Sequence, residues 1–114
     1  MIHNIVIGDS YWFEVTGDID RIDPDPNWPN GANWTGNWRI AADINPASPS
    51  LASGNMVAAP TYGVWKGKIT PAQSAVIAAG SNYYLIVQMK NPAVDYNKEI
   101  AQDKVVVKPQ GTTP

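Results

Sequence analysis

Tyr83-Tyr84-Leu85-Ile86-Val87-Gln88-Met89 is the stretch that decides the fold. Side chains alternate along an extended chain. Tyr83, Leu85, Val87 and Met89 therefore share one side, and Tyr84, Ile86 and Gln88 the other. Both sides are largely apolar, so the sequence predicts a central strand covered on both faces.

The same two-residue period recurs on either side of it. Ser10-Tyr11-Trp12-Phe13-Glu14-Val15 is aromatic and β-branched between Gly8-Asp9 and Thr16-Gly17. Trp38, Ile40, Ala42 and Ile44 alternate with Asn37, Arg39, Ala41 and Asp43. Residues 55–59 form a short apolar run that Pro60 ends. Over residues 64–69, Trp65, Gly67 and Ile69 share a face, and Lys66 and Lys68 point the other way. Residues 100–108 give a last strand with Val105 and Val107 on one side and Lys104, Val106 and Lys108 on the other. Ten prolines and nine glycines supply the turns. The pattern predicts an all-β sandwich or small barrel of about seven strands.

One segment has helical punctuation. Thr70 suits an N-cap, Pro71 the first helical position, Gln73 completes a capping box, and Gly80 suits a left-handed C-terminal position. The sequence predicts a helix of about two turns near residues 70–79. It would cross between sheets and bury Ala72, Val76 and Ile77.

The composition narrows the function classes. The chain has 114 residues, the length of one domain. It is 44% hydrophobic and only 16% charged, against about 25% charged in average soluble proteins. Such a surface suits either a neutral small domain or a protein covered in an assembly. The eight basic residues are scattered and the formal net charge is −2. This argues against nucleic acid as a partner, because phosphate binding needs a clustered basic footprint. There is no cysteine, and the single histidine, His3, falls in a segment expected to be mobile or at an edge. No zinc site of the usual ligand types follows from that inventory. The apolar run of residues 2–7 is too short for a signal peptide and lacks a basic leader. No run approaches the ~20 residues of a membrane helix. Synthesis in the cytoplasm of the producing cell is the expectation.

The most unusual stretch is Asp18-Ile19-Asp20-Arg21-Ile22-Asp23-Pro24-Asp25-Pro26-Asn27-Trp28-Pro29-Asn30-Gly31. It sets four carboxylates within eight residues. Asp-rich loops supply calcium's oxygens, but the EF-hand spacing is absent. Aspartates also build turns by local hydrogen bonding. Both the structural loop and a calcium site stay open at this point. The carboxylates lack the cleft-spanning arrangement of glycosidases. One histidine near the N-terminus gives no Ser-His-Asp set, and the glycine spacings lack a P-loop lysine. The sequence thus predicts no enzyme, no cofactor and no catalytic residue. Asn33-Trp34-Thr35 matches a glycosylation sequon, which has no meaning without export.

Trp12, Trp38 and Trp65 lie in predicted strands and read as core. Trp28 and Trp34 sit in the Pro/Asn/Gly-rich loop, where two roles fit. They either cap one end of the domain or make contacts, since exposed tryptophan anchors interfaces and stacks on sugars. Ile5 and Ile7 belong to a β-branched run that would be an aggregation hazard as an unpaired edge. It should pair within the domain or add to a neighbour's sheet. Ile5, Ile7, Asp23, Asp25, Trp28 and Trp34 are the candidate partner-binding residues.

Four motifs occur in order: Gly8-Asp9-Ser10-Tyr11-Trp12-Phe13, Trp34-x-Gly36-x-Trp38, Gly80-Ser81-Asn82-Tyr83-Tyr84-Leu85-Ile86-Val87-Gln88, and Glu99-Ile100-Ala101-Gln102-Asp103-Lys104-Val105-Val106-Val107. This order resembles the small immunoglobulin-like domain proteins of tailed bacteriophages. An early Gly-Asp-x-Phe/Tyr strand, a mid-chain Trp strand and a late Gly-x-Tyr-x-x-x-Val-Gln strand recur there. Related modules form the N-terminal part of baseplate upper proteins. The resemblance covers most of the chain, and its motifs are structural, so no catalytic residue comes with it. It implies an immunoglobulin-like antiparallel β-sandwich over residues 1–108, with 109–114 as an extension. It also implies a virion protein in a tail, baseplate or fibre attachment, or a capsid decoration protein, present in many copies or as a homo-oligomer among other virion proteins. A carbohydrate-binding module for host glycan, with Trp28 and Trp34 as platforms, is the alternative from another class.

Overall fold

The structure is a computed structural model that describes residues 2–16, 35–58, 64–91 and 96–109. Eight strands and one short helix follow in order: β1 (Ile2–Val6), β2 (Tyr11–Thr16), β3 (Thr35–Ala41), β4 (Ala52–Asn55), β5 (Val57–Ala58), β6 (Val64–Ile69), α1 (Pro71–Ala75), β7 (Gly80–Asn91) and β8 (Tyr96–Lys108). The chain is all-β, as its alternation predicts. The strands form a five-stranded sheet ordered β1-β8-β7-β3-β4 and a three-stranded sheet ordered β2-β6-β5.

The predicted central strand is central. β7 runs between β8 and β3, antiparallel to both. Leu85, Val87 and Met89 are fully buried on its inner side. Ile86 is buried on its outer side, in register with Arg39 on β3 and Gln102 on β8. The two sheets meet across one core. Ile5, Trp38, Ile40, Leu85, Val87, Met89, Val105 and Val107 come from the larger sheet, and Phe13, Val15, Trp65 and Ile69 from the smaller. Burying each such side chain stabilises the fold by about 1.5–3 kcal/mol.

Two glycines let large rings lie on backbone. Trp38 stands directly across from Gly54, and a Cβ on Gly54 would meet its indole at 2.7 Å. Phe13 stands across from Gly67, where an added Cβ would lie 2.2 Å from the ring. The Phe13 and Trp38 rings then meet edge to face, centroids 5.9 Å apart, which joins the two sheets.

Along one side, the chain itself closes the gap between the sheets. β4 and β5 belong to different sheets and are separated only by Met56, which is buried and donates its N–H to Gly36 at 2.7 Å. Along the other side lie β1 and β2, the end strands of their sheets. A polar chain bridges them. His3 Nε2 lies 2.9 Å from Asp103, and His3 Nδ1 lies 2.7 Å from the Tyr11 hydroxyl. The carboxylate can only accept, so Nε2 donates to Asp103, and Nδ1 shares a hydrogen bond with the Tyr11 hydroxyl. Burial, with the Asp103 charge adding to it, pushes the Tyr11 hydroxyl above its ordinary value.

Several expectations need correcting. The sheets are not wholly antiparallel, because β1 pairs with β8 in parallel. Eight strands are described, close to the expected number of about seven. The last strand begins at Tyr96, and Ile100 is an extra residue opposite the Val87–Gln88 step. This bulge brings both Ile100 and Ala101 against the core. β3 stops at Ala41, so Ala42 and Ile44 do not extend its buried face and are exposed. A turn stops it: Asp43 Oδ1 accepts from the Asn45 N–H at 2.8 Å and the Ser48 hydroxyl at 2.5 Å. Arg39 locks the turn by donating to the carbonyls of Ser48 and Asn45 at 2.8 and 3.1 Å.

The helix has its expected start and a different end. Gln73 N–H donates to Thr70 Oγ1 at 3.2 Å, and Thr70 N–H donates to Gln73 Oε1 at 2.9 Å, a complete capping box with Pro71 behind the cap. The helix spans five residues, not two turns. Ala72 and Val76 are exposed, Val76 at 74%, while Ile77 is buried as expected. The buried helical residue is Ser74, whose Oγ donates to the Asp9 carbonyl at 2.8 Å and accepts from the Gly8 N–H at 3.0 Å. Gly80 opens β7 instead of taking the left-handed cap position. The left-handed glycine among the described residues is Gly8, with φ 86°, in the turn from β1 to β2. α1 does join one sheet to the other, since β6 and β7 belong to different sheets.

Candidate functional site

β2 positions the exposed feature that stands apart. Tyr11, Phe13 and Val15 turn inward, so the alternation turns Trp12 and Glu14 outward. Trp12 is 64% exposed. This corrects the expectation that it lies in the core with Trp38 and Trp65, which are buried at 2% and 4%. Membership of a strand suggested core; parity within the strand gives the face. The pair Phe13/Val15 against Trp12/Glu14 was the available signal.

Register completes the surface. Trp12 stands across from Lys68, and Glu14 across from Lys66, which is across from Val57 on β5. The Lys68 ammonium lies 4.9 Å from the centroid of the Trp12 ring. Such a contact at an exposed site is worth about 0.5–1 kcal/mol. Lys66 Nζ is 3.8 Å from Glu14, with both side chains well exposed, so that pair adds little. Val57 is 67% exposed. The outer face of the three-stranded sheet therefore presents an indole and an aliphatic side chain, with two ammonium groups and one carboxylate between them. Trp12, Glu14 and Lys66 also line a concavity of about 520 Å³. Such a face can anchor a macromolecule by burying an aromatic side chain beside charges.

The outer face of the larger sheet differs. Asn37, Arg39, Ser53, Asn55, Gln88 and Glu99 line a shallow polar depression of about 360 Å³. Its long side chains are engaged with the protein. Arg39 holds the turn after β3, Gln88 Nε2 donates to Asn97 at 2.5 Å, and Gln102 donates to Glu99. The Ser48 hydroxyl first, then the Asn45 backbone, hold the Asp43 carboxyl below the usual carboxylate range, with Arg39 adding to both.

The predicted contact residues are distributed as follows. Ile5 is fully buried in the core and is corrected from contact residue to core residue. Ile7 is partly buried against the core, and its N–H donates to the Lys108 carbonyl at 2.9 Å. The β-branched run thus takes the first of its two expected courses and pairs within the domain. Asp23, Asp25, Trp28 and Trp34 lie outside the described residues, as do the calcium and sugar-platform alternatives built on them. His3 lies in β1, an end strand of the larger sheet, as one expectation had it. It is 1% exposed with both ring nitrogens engaged, so its imidazole serves the fold. Among the described residues no cluster of three His, Asp or Glu side chains suits a metal ion, and no helix is long and apolar enough to cross a membrane.

No family model matches this chain, and no curated protein matches it in sequence.

Proposed function

We propose that this chain is a non-enzymatic structural protein of a tailed-phage particle: an immunoglobulin-like sandwich that acts as an assembly or adaptor module of the tail, baseplate or fibre attachment. The observation that carries the binding role is Trp12, exposed beside Lys68 on the outer face of the three-stranded sheet. A strand can satisfy its hydrogen bonds and still leave an indole in water, but that apolar surface gains free energy only when something covers it. A chain with few charges and an anchor of this kind fits a protein that works covered by neighbours.

The virion part of the proposal rests on the motif order. Its quoted residues occupy structural positions. Gly8 makes the left-handed turn into β2, Trp38 packs on Gly54, residues 83–88 lie in the central strand, and residues 99–107 lie in β8 beside it. Two sheets joined by a sheet-switching segment are compatible with a sandwich. The parallel β1–β8 pair is the departure from an antiparallel pattern.

The test is recovery. Particles purified by density gradient from a culture infected with the parent phage should contain the chain in fixed proportion to a known coat protein, measured by quantitative mass spectrometry. A chain abundant in the lysate and absent from the particles would refute the virion role.

A further inference from the structure

We propose that the outer face of the three-stranded sheet receives an extended acidic segment of a neighbouring protein, added alongside β2, the end strand of its sheet among the described residues, with Trp12 as its apolar anchor and Lys68 and Lys66 as its charge contacts. This rests on the assembly role above and names the chemistry of the partner.

The edge comes first. β2 ends its sheet, and among the described residues no strand pairs with its other side. Along its six residues, every second one turns N–H and C=O away from β6. Proteins blunt such edges with proline, inward charge or lysine on the strand itself. Tyr11-Trp12-Phe13-Glu14-Val15-Thr16 has no proline and no lysine. An edge that carries Glu14 as its one charge and neither proline nor lysine still admits strand addition, in which main-chain hydrogen bonds supply affinity and alternate side chains supply specificity.

The side chains then set the partner's character. A strand added to β2 lies about 4.8 Å from it and places alternate side chains beside Trp12 and Glu14. Lys68 belongs to β6, yet its ammonium lies at the Trp12 ring, which brings positive charge from β6 across to β2. The exposed Lys66–Glu14 pair is loose enough to exchange partners with an incoming carboxylate. A second copy of this chain fits poorly. Two-fold pairing would oppose this patch to itself, setting four lysines, Lys66 and Lys68 from each copy, against the two Glu14 carboxylates. An acidic segment neutralises the excess.

The probe is a blocked octapeptide alternating glutamate and valine, with its lysine–valine counterpart as the charge-reversed control. Both are titrated into the 15N-labelled full chain. The acidic peptide should shift the amides of residues 11–16 and the Trp12 indole N–H. Lys68→Glu should weaken binding at least tenfold, with Lys68→Gln in between. Trp12→Ala should remove measurable binding while the remaining spectrum stays folded. Equal binding of the basic peptide, no shift with the acidic one, or shifts confined to β3 and β4 overturn the proposal. The two levels separate cleanly. If Trp12→Ala abolishes incorporation into particles while the acidic peptide leaves β2 unmoved, the assembly role stands and the acidic strand falls. If the peptide binds while particles carry normal amounts of Trp12→Ala protein, the strand site stands and the role of this face in the particle falls.

Discussion

The outer faces of the two sheets are built from similar alternating strands and end in opposite states. On the five-stranded sheet, Gln88 bonds to Asn97 and Gln102 to Glu99, and Arg39 fastens the turn that stops β3. On the three-stranded sheet, Trp12 and Val57 stay largely in water, with Lys68 over the Trp12 ring and a loose Lys66–Glu14 ion pair beside them. The difference teaches where to look for a partner. A face whose groups satisfy one another gains little from being covered, whereas exposed apolar surface beside unspent charge gains much.

If this contrast is real, substitutions on the two faces should separate stability from contact. The largest expected loss of stability comes from beneath the smaller sheet. Gly67→Ala drives a methyl group into the Phe13 ring. Overpacking of this kind costs about 1–3 kcal/mol, and because Phe13 lies on β2 the change should also disturb Trp12. Urea unfolding measures the first effect and tryptophan emission the second. An unchanged midpoint would show that β2 is not seated on Gly67.

Arg39→Ala tests the self-satisfied face. It removes two charge-assisted hydrogen bonds; the Ser48 carbonyl loses the Arg39 donor, while the Asn45 carbonyl keeps the Ser48 N–H. The expected loss is about 1.5–2 kcal/mol by the same measurement, with no loss of partner binding. A loss of binding at unchanged stability would reverse the contrast.

Tyr11→Phe tests the open side, where both sheets end. It removes the hydroxyl hydrogen-bonded to His3 and should cost about 1 kcal/mol. The folded Tyr11 titrates above the ordinary 10.0. Its contribution is therefore complete below pH 10 and is lost as pH rises through the folded value. The parent chain should lose stability in that alkaline range, and Tyr11→Phe should flatten the slope.

The smallest expected effect is Trp12→Ala, about 0.5–1 kcal/mol, the worth of the exposed cation–π contact it removes. A loss of several kcal/mol would make Trp12 a structural residue and end its use as an anchor.

Much of this fold was legible in the sequence, and the illegible parts share a cause. Residues 64–69 alternate so regularly that β6 has the predicted bounds, and the Thr70–Gln73 box is local chemistry that the chain spells out. What could not be read depends on distant partners. The parallel pairing of β1 with β8 joins residues about a hundred positions apart. The helix ends early because Ser74 is bonded to the turn at Gly8 and Asp9 while Ile77 enters the core. Gly80 looks like a helix cap until β7 claims it. The face of Trp12 follows from parity with Phe13 and Val15, which strand membership alone does not give. Asp23, Asp25, Trp28 and Trp34 lie outside the described residues, and the proposed contact surface centres instead on Trp12, a strand residue whose position suggests core.

Amide hydrogen exchange, compared between the free chain and the chain in purified particles, tests the central claim most directly. If the three-stranded face is the contact, protection should rise on assembly in β2 and β6, with β3 and β4 exchanging as in the free chain. Protection confined to β3 and β4, with β2 unchanged, would contradict the account.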